Sequence, residues 1–470
     1  MPDRYHIHTA PTPPRFHRVG KFGNVDWRED CSRCTNCVKL RCCYDVYKSE
    51  SAHNRDPLSP VELLNGCKAC LACVQGCTKG LLNVSINPEF LESGDEYWKP
   101  DILLTTWNQS DTGKIPVSGA GYRGRFHGPG FDSIWTDMSE IVRPTRDGIH
   151  GREYISTSVD IGSKPMRLRF TPDGKLLGEP SRLLELQLPA ILDMPEWMVE
   201  GVNLVKARAA AASELNSLAV MAACHAREAK AEQLPSVVPI VGEDDLAGSE
   251  AVLKAARMAQ VRDGEGVVDL AGKVQAINPG LIVSVRMTLG PATASRVVEL
   301  ARAGLKVFHL CADLHGRERL DSGKPGRHIK DVLREVHGKL VKEGLRDEVT
   351  LIVSGGIALA EHMAKAIICG ADLVGVDTAL LVAVGCRVCR DAACGSCPIE
   401  IDSTESVYAA QRMVNLMGAW HSQLIEVLGA MGIREVRRLR GEVGRAMFLE
   451  DIEKEAFGDL ARVPQAQVSV

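Results

Sequence analysis

The second half of the chain alternates short apolar runs with longer amphipathic runs, beginning after Pro235. Apolar runs predict β-strands at 237–241, 281–287, 307–311, 350–353 and 373–376, and the runs between them predict helices at 244–260, 291–303, 328–343, 358–369 and 378–385. Near-continuous apolar strands that alternate with helices are typical of a parallel sheet buried on both faces. The pattern therefore predicts an α/β fold of the (β/α)8-barrel type, with functional residues at the carboxyl ends of its strands.

Two other stretches have a different character. Residues 195–233 are rich in alanine and predict a helical segment. Residues 95–180 contain turn signals such as Gly128-Pro129-Gly130 and Pro172-Asp173-Gly174 and few helical periods. We expect this second stretch to wrap around another domain.

Composition narrows the class of protein. The 470 residues are 45% hydrophobic and 25% charged, with a net charge of −4, which indicates a globular chain of two or three domains. Neither a long basic block nor a high aromatic content points to a nucleic-acid partner.

The most apolar stretch, 364–385, is interrupted by Lys365, Asp372 and Asp377, so we expect no membrane span. Sixteen cysteines without an apolar export signal predict a reducing, cytoplasmic location.

The cysteines are concentrated in runs near the amino terminus. The first run is Cys31-x2-Cys34-x2-Cys37-x4-Cys42-Cys43, and the second is Cys67-x2-Cys70-x2-Cys73-x3-Cys77. Three closely spaced thiolates and a more distant fourth are typical of [4Fe–4S] ligation. Zinc sites need only paired Cys-x2-Cys motifs, and disulfide frameworks belong to short secreted chains. The runs therefore predict a ferredoxin-like α+β module with two [4Fe–4S] clusters over residues 26–90.

Ligation in such modules is crossed, because the fourth cysteine of each run binds the cluster of the other run. One predicted ligand set is Cys31, Cys34, Cys37 and Cys77. The other is Cys67, Cys70 and Cys73 with either Cys42 or Cys43, a choice that the spacing leaves open.

A third cysteine group follows the predicted barrel. Cys386-x2-Cys389-x4-Cys394-x2-Cys397-Pro398 supplies four thiolates within twelve residues. This spacing predicts one further [4Fe–4S] or [3Fe–4S] cluster, and a zinc ion is the alternative.

The region around this group resembles the FMN-binding synthase domain of glutamate synthase. The resemblance rests on Ser354-Gly355-Gly356-Ile357, on the run Gly370-Ala371-Asp372-Leu373-Val374-Gly375-Val376-Asp377-Thr378-Ala379-Leu380, and on Gly385-Cys386 and Cys397-Pro398. It covers residues 235–450, where 414–449 resembles the family's closing helices. The chain departs from the family in carrying Arg286 in place of a lysine and Asp377 in place of a small residue.

The resemblance implies a cofactor and its ligands. FMN phosphate is expected at Ser354, Gly355, Gly356, Gly375 and Thr378. Arg286, at the end of the strand Ser284-Val285-Arg286, is expected to act in catalysis by stabilising the reduced flavin. The loop with Arg317, Arg319 and Arg327 either clamps an anionic substrate or is a solvated loop balanced by Glu318 and Asp321.

We therefore expect an enzyme, an iron–sulfur flavoprotein oxidoreductase that passes electrons between [4Fe–4S] clusters and a barrel-bound FMN. A small-molecule substrate and a redox partner protein or subunit would complete the reaction. Because the sequence begins Met1-Pro2-Asp3 without a cysteine nucleophile, we expect no glutaminase domain. The alternative is an electron-wiring subunit of a larger redox complex whose barrel has lost flavin or catalysis.

These assignments divide the chain into six segments. They are an extended tail at 1–25, the ferredoxin-like module at 26–90, an irregular wrapping segment at 91–190, the barrel at 191–385, a cysteine loop with closing helices at 386–450, and a tail at 451–470.

Overall fold

Eight parallel strands close into a barrel in the computed structural model, which describes residues 5–15, 22–27, 38–41, 70–115, 128–136, 155–164, 169–177, 182–197, 201–320, 324–389 and 400–458. The strands are β1 Ala190–Leu192, β2 Ala219–Ala222, β3 Val237–Val241, β4 Met258–Arg262, β5 Ile282–Thr288, β6 Val307–Cys311, β7 Thr350–Ser354 and β8 Leu373–Val376. Each strand pairs with the next along the chain, and β8 pairs with β1. The predicted α/β barrel is confirmed.

A helix follows each strand. These helices are α1 Val202–Glu214, α2 Ala223–Ala226, α3 Leu246–Ala255, α4 Val267–Ile277, α5 Thr293–Arg302, α6 Ile329–Lys342, α7 Ala360–Ile368 and α8 Thr378–Ala383, and the long closing helix is α9 Ser406–Ala430. Every residue of β3, β6, β7 and β8 is buried, because side chains of one face fill the barrel and those of the other contact the helices.

Two sequence predictions were wrong in detail. The helix expected over 244–260 is α3 followed by β4, with Ala256 and Arg257 between them. The alanine-rich stretch 195–233 contains α1 but also β2 and α2. Alanine favours helix in isolation, whereas pairing with β1 and β3 holds Ala219–Ala222 extended inside the barrel wall.

The remaining elements are short and lie outside the barrel wall. Antiparallel pairs join Phe22–Trp27 with Leu82–Ile86, Ile134–Thr136 with Ala446–Phe448, Val159–Gly162 with Leu183–Leu186, and Arg169–Phe170 with Leu176–Leu177. The other α-helices are Val38–Arg41, Ala72–Gly76, Pro88–Glu92, Pro100–Thr112 and Leu449–Phe457. Single 3-10 turns occur at Gly130–Ser133, Ala231–Ser236, Glu243–Asp245, Arg346–Glu348, Ile401–Ser403, Val436–Gly441 and Val443–Arg445.

An amino-terminal arm, residues 5–15, packs between the Pro100–Thr112 helix and α9. The side chain of Asn415 on α9 accepts a hydrogen bond from Ala10 N and donates one to Ala10 O, at 3.1 and 2.7 Å. Thr12 N donates to the Asp111 carbonyl at 2.9 Å, next to a buried ion pair between Asp111 and Arg412. Hydrogen bonds therefore hold residues 5–15 against α9 and the Pro100–Thr112 helix.

None of the helices in the described part of the chain is long and apolar enough to cross a membrane.

Candidate active site at the barrel mouth

A buried polar cluster lies at the carboxyl ends of the barrel strands. Arg286 of β5 donates to Asp193, directly after β1, with Nη1–Oδ1 and Nη2–Oδ2 distances of 3.0 and 3.2 Å. His309 of β6 places Nδ1 3.2 Å from Arg286 Nη1 and 2.9 Å from Gln260 Nε2, and Nε2 3.1 Å from Ser354 Oγ. Five side chains from five strands or strand ends thus form one hydrogen-bonded network.

The electrostatics of the cluster centre on Arg286. Burial alone would raise the pKa of Asp193, but the charge and hydrogen bonds of Arg286 hold it at about 2. The same carboxylate, with Glu196, raises the pKa of Arg286 despite its burial. Nε of Arg286 donates to Glu196 at 3.0 Å. Asp193 is therefore ionised at neutral pH, and the guanidinium charge is already paired.

His309 is neutral and carries its proton on Nε2. Burial, with repulsion from Arg286, lowers the pKa of His309 to about 3. Two donors, Arg286 Nη1 and Gln260 Nε2, face Nδ1, so this nitrogen is the acceptor. Nε2–H then points to Ser354 Oγ at 3.1 Å, with Asp193 Oδ2 at 3.5 Å.

The network continues into the loop after β6. Arg319 pairs with Glu196 at 3.2 Å, so Glu196 bridges Arg319 and the buried Arg286. Arg327 pairs with Glu318 and Glu335 at 2.7 and 2.9 Å. Arg317 Nη1 donates to the Gly326 carbonyl at 3.0 Å. All three arginines of the expected clamp have partners within the described residues, whereas Asp321, one of the two expected counter-charges, lies outside the described residues.

The turn after β7 carries Gly355 and Gly356, both buried and both with positive φ, 91° and 69°. A Cβ on Gly356 would lie 2.7 Å from Gly316 Cα and 2.9 Å from the hydroxyl of Tyr97. A Cβ on Gly355 would lie 2.7 Å from the Ala312 carbonyl oxygen. Glycine is required here by conformation and by space.

The carboxyl end of β8 is similarly crowded. A Cβ on Gly375 would lie 2.9 Å from Ser354 Cβ and 3.1 Å from His309 Nε2, so the polar cluster fills the space beside this glycine. Asp377 caps α8 by accepting a hydrogen bond from Thr378 N. Burial, with repulsion from Asp193, raises the pKa of Asp377 to about 7.

The structure brings Arg286, Ser354, Gly375 and Thr378 to one end of the barrel, with Gly355 and Gly356 in the adjoining turn. Sequence reasoning missed Asp193, Glu196 and Gln260. Asp193 directly follows β1 and Gln260 lies on β4, two strands that the hydrophobic pattern did not reveal. Their polarity within apolar surroundings was the available signal.

Five of the predicted cluster cysteines lie within the described residues. Cys73 and Cys77 are partly buried and Cys70 is exposed, around the Ala72–Gly76 helix. Cys386 is buried and Cys389 partly buried, directly after α8. The remaining cluster candidates, Cys31, Cys34, Cys37, Cys42, Cys43, Cys67, Cys394 and Cys397, lie outside the described residues.

Comparisons with known proteins agree with this barrel. Residues 322–434 match a family model described as a conserved region in glutamate synthase. The archaeal-type glutamate synthase (NADPH) of Dehalococcoides mccartyi is 21% identical over an alignment that covers 89% of this chain and 93% of the relative. The archaeal glutamate synthase (NADPH) of Archaeoglobus fulgidus is 24% identical, covering 94% and 97%. Over most of its length the chain is therefore similar in sequence to archaeal-type glutamate synthases.

One solved structure with similarity to this chain is a mutant flavocytochrome b2 with pyruvate bound. The identity is 13%, the coverage is 74% of this chain and 82% of that chain, and the TM-score is 0.42. The likeness concerns the barrel fold alone.

Proposed function

We propose that this protein is an iron–sulfur flavoprotein oxidoreductase of the glutamate synthase type. It holds [4Fe–4S] clusters in the 26–90 segment, a further cluster at Cys386–Cys397 and FMN at the barrel mouth, and electrons pass between them. Iron–sulfur clusters carry single electrons, and FMN couples one-electron steps to two-electron chemistry on a small substrate. The names of the relatives, glutamate synthase (NADPH), support a glutamate synthase-like reaction.

The turn after β7 is the observation that carries the FMN assignment. Gly355 and Gly356 are buried, yet no described residue accepts a hydrogen bond from either backbone N–H. Buried amides are nearly always paired, and successive N–H groups in a turn form a concave site for anions. A phosphate group bound at this turn would satisfy them.

Thr378 fits the same role from the neighbouring strand. Its hydroxyl accepts a hydrogen bond from Trp197 Nε1 at 3.0 Å, so its own proton remains available to a phosphate oxygen. Asp377 would repel a phosphate when ionised. Its raised pKa, about 7, means that a large fraction is protonated near neutral pH.

The described part of the ferredoxin-like module supports the predicted crossed ligation. In the antiparallel pair, Trp27 lies opposite Leu82. In the sequence, Cys31 follows Trp27 by four residues and Cys77 precedes Leu82 by five. Leu81 N donates to Cys77 Sγ at 3.3 Å, as backbone amides commonly do to cluster thiolates.

The segment after this module reaches the third cysteine group. Arg387, between Cys386 and Cys389, pairs with Glu89 at 3.0 Å, and its carbonyl accepts from Gly94 N at 3.0 Å. Val388 N donates to Cys386 Sγ at 3.4 Å. These contacts support a third cluster between the module and the barrel.

A second candidate function is an electron-wiring subunit whose barrel no longer binds flavin. The observation that favours it is the pairing of Arg286 with Asp193 and Glu196, which removes the net positive charge expected beside a reduced flavin. An ionised Asp377, next to Thr378, would repel the FMN phosphate and therefore also favours this second function.

The two functions are separated by the cofactor content of protein purified without oxygen. We expect about one FMN after acid release and about twelve iron atoms per chain if three four-iron clusters are present. Iron without flavin would establish the electron-wiring function instead. Flavin without iron would overturn the cluster assignments.

A further inference from the structure

A short junction segment, residues 94–98, contacts the third cysteine group and two loops at the barrel mouth. Gly94 N donates to the Arg387 carbonyl in the third cysteine group, at 3.0 Å. Trp98 Nε1 donates to the Leu314 carbonyl in the loop after β6, at 2.8 Å. The hydroxyl of Tyr97 donates to the carbonyl of Gly356 in the turn after β7, at 2.6 Å.

The hydrogen bond of Tyr97 acts on the peptide group that ends this turn. The Gly356 carbonyl and the Ile357 N–H belong to one planar peptide group, so a donor fixed on the carbonyl also fixes the direction of that N–H. Gly356 has no side chain and a φ of 69°, so its own conformational preference does little to hold this plane. Tyr97 supplies the restraint.

Tyr97 is itself held on several sides. It is buried, and its ring stacks on His328 with a centroid distance of 6.0 Å and an interplanar angle of 27°. Its hydroxyl also lies 3.3 Å from His328 Nε2. Asp95 Oδ1 accepts from the backbone N–H groups of Tyr97 and Trp98 at 2.8 and 2.7 Å, while Oδ2 lies 2.7 Å from His315 Nε2.

We propose that Tyr97 is a positioning residue for the flavin phosphate. Its hydroxyl orients the Gly355–Gly356 turn through the hydrogen bond to the Gly356 carbonyl. Because Tyr97 belongs to the junction segment, which follows the ferredoxin-like module in the chain, retention of FMN depends on docking of that segment against the barrel. This inference rests on the proposed function, because it assumes phosphate at that turn.

The test is the rate of FMN release from the Tyr97→Phe protein, purified without oxygen and diluted into flavin-free buffer. The change removes one hydroxyl and keeps the buried ring. We expect release, followed by the rise of flavin fluorescence, to be about tenfold faster, as befits the loss of one buried hydrogen bond. Tyr5→Phe is the matched control, because the Tyr5 hydroxyl also donates to a backbone carbonyl, that of Leu215 at 2.9 Å, away from the turn.

The outcomes are distinct. Wild-type protein without FMN would contradict the proposed function itself. Wild-type protein with FMN, together with unchanged release from Tyr97→Phe, would overturn only the role of Tyr97. Equal acceleration in Tyr97→Phe and Tyr5→Phe would also overturn it, because a general loss of stability would then explain both. Acceleration in Tyr97→Phe alone, with equal thermal unfolding midpoints for the two variants, supports it.

Discussion

Asp193 and Arg286 form a two-point ion pair across the interior of the barrel, with N–O distances of 3.0 and 3.2 Å. Asp193 directly follows β1 and Arg286 lies on β5, and these strands are on opposite sides of an eight-stranded ring. The side chains of both residues are almost completely buried. The pair therefore fixes the barrel mouth from the inside and sets the charge of the candidate site.

Removing the cation should strongly destabilise the protein. In Arg286→Met the Asp193 carboxylate stays buried without its partner, so we expect the free energy of unfolding to fall by about 3–5 kcal/mol. Urea unfolding measures this change. The control is Arg302→Met, which breaks the exposed Arg302–Glu343 pair and should cost at most about 1 kcal/mol. Similar losses in the two variants would contradict a buried, paired Arg286.

The Arg286→Met loss should be partly reversed by a second change. Asp193→Asn removes the unpaired charge, so the double variant should be more stable than Arg286→Met alone. A double variant that is less stable would mean that the pair's geometry, and not the isolated charge, accounts for the loss.

Acid should destabilise the fold through His309. Its pKa is about 3 in the folded protein, against about 6.5 in an unfolded chain. Between these values the unfolded state binds the proton and the folded state does not, so the free energy of unfolding decreases as pH falls from 6.5. In His309→Gln the decrease between pH 7 and 4.5 should be smaller, by an amount on the order of 2 kcal/mol. Parallel pH profiles for the two proteins would contradict this.

Asp377 should act with the opposite sign in the same pH range. Its folded pKa of about 7 lies above the unfolded value of about 4. Between these two values the folded state keeps a proton that the unfolded state has released, so the free energy of unfolding decreases as pH rises. Asn can still cap α8. Asp377→Asn should therefore gain stability relative to wild type between pH 5 and pH 8, as measured by thermal unfolding. A constant difference would show that Asp377 is ionised throughout.

Gly375 should tolerate no side chain. An added Cβ would meet Ser354 Cβ at 2.9 Å and His309 Nε2 at 3.1 Å, so Gly375→Ala should lower the free energy of unfolding by about 1–3 kcal/mol. Gly272→Ala on α4 is the control: nothing lies within 4 Å of its Cβ position. There we expect a gain of about 0.5–1 kcal/mol from helix propensity. An unchanged free energy of unfolding in Gly375→Ala would mean that Ser354 and His309 move to accommodate the added methyl group.

Cys77 should be needed for one cluster and Cys224 for none. Cys77→Ser removes the predicted fourth ligand of the first cluster, so the iron content should fall by about four atoms per chain or the cluster spectrum should change. Cys224, exposed on α2, is the matched control and should leave the iron content unchanged. A loss of iron in Cys224→Ser, or full iron with an unchanged cluster spectrum in Cys77→Ser, would refute the assigned ligand set.

Some features were predictable because their signal is local. The buried strands β3, β5, β6, β7 and β8 are continuous apolar runs, and α5 and α6 have clear helical periodicity. Cysteine spacing predicts metal ligation without reference to the fold. The glycine pair Gly355–Gly356 also stands out, because few residues but glycine adopt positive φ.

Other features exist only in three dimensions. Ala219–Ala222 has helix propensity but is a strand, since its neighbours in the barrel wall supply the hydrogen bonds that hold it extended. Asp193 meets Arg286 only when the ring closes, and Tyr97 meets Gly356 across 259 positions of sequence. The sequence by itself determined most kinds of element and predicted metal ligation by the cysteines, because both signals depend on neighbouring residues. Tertiary structure decided which charges are paired at the mouth and which side chain contacts the Gly355–Gly356 turn, because those depend on contacts between distant parts of the chain.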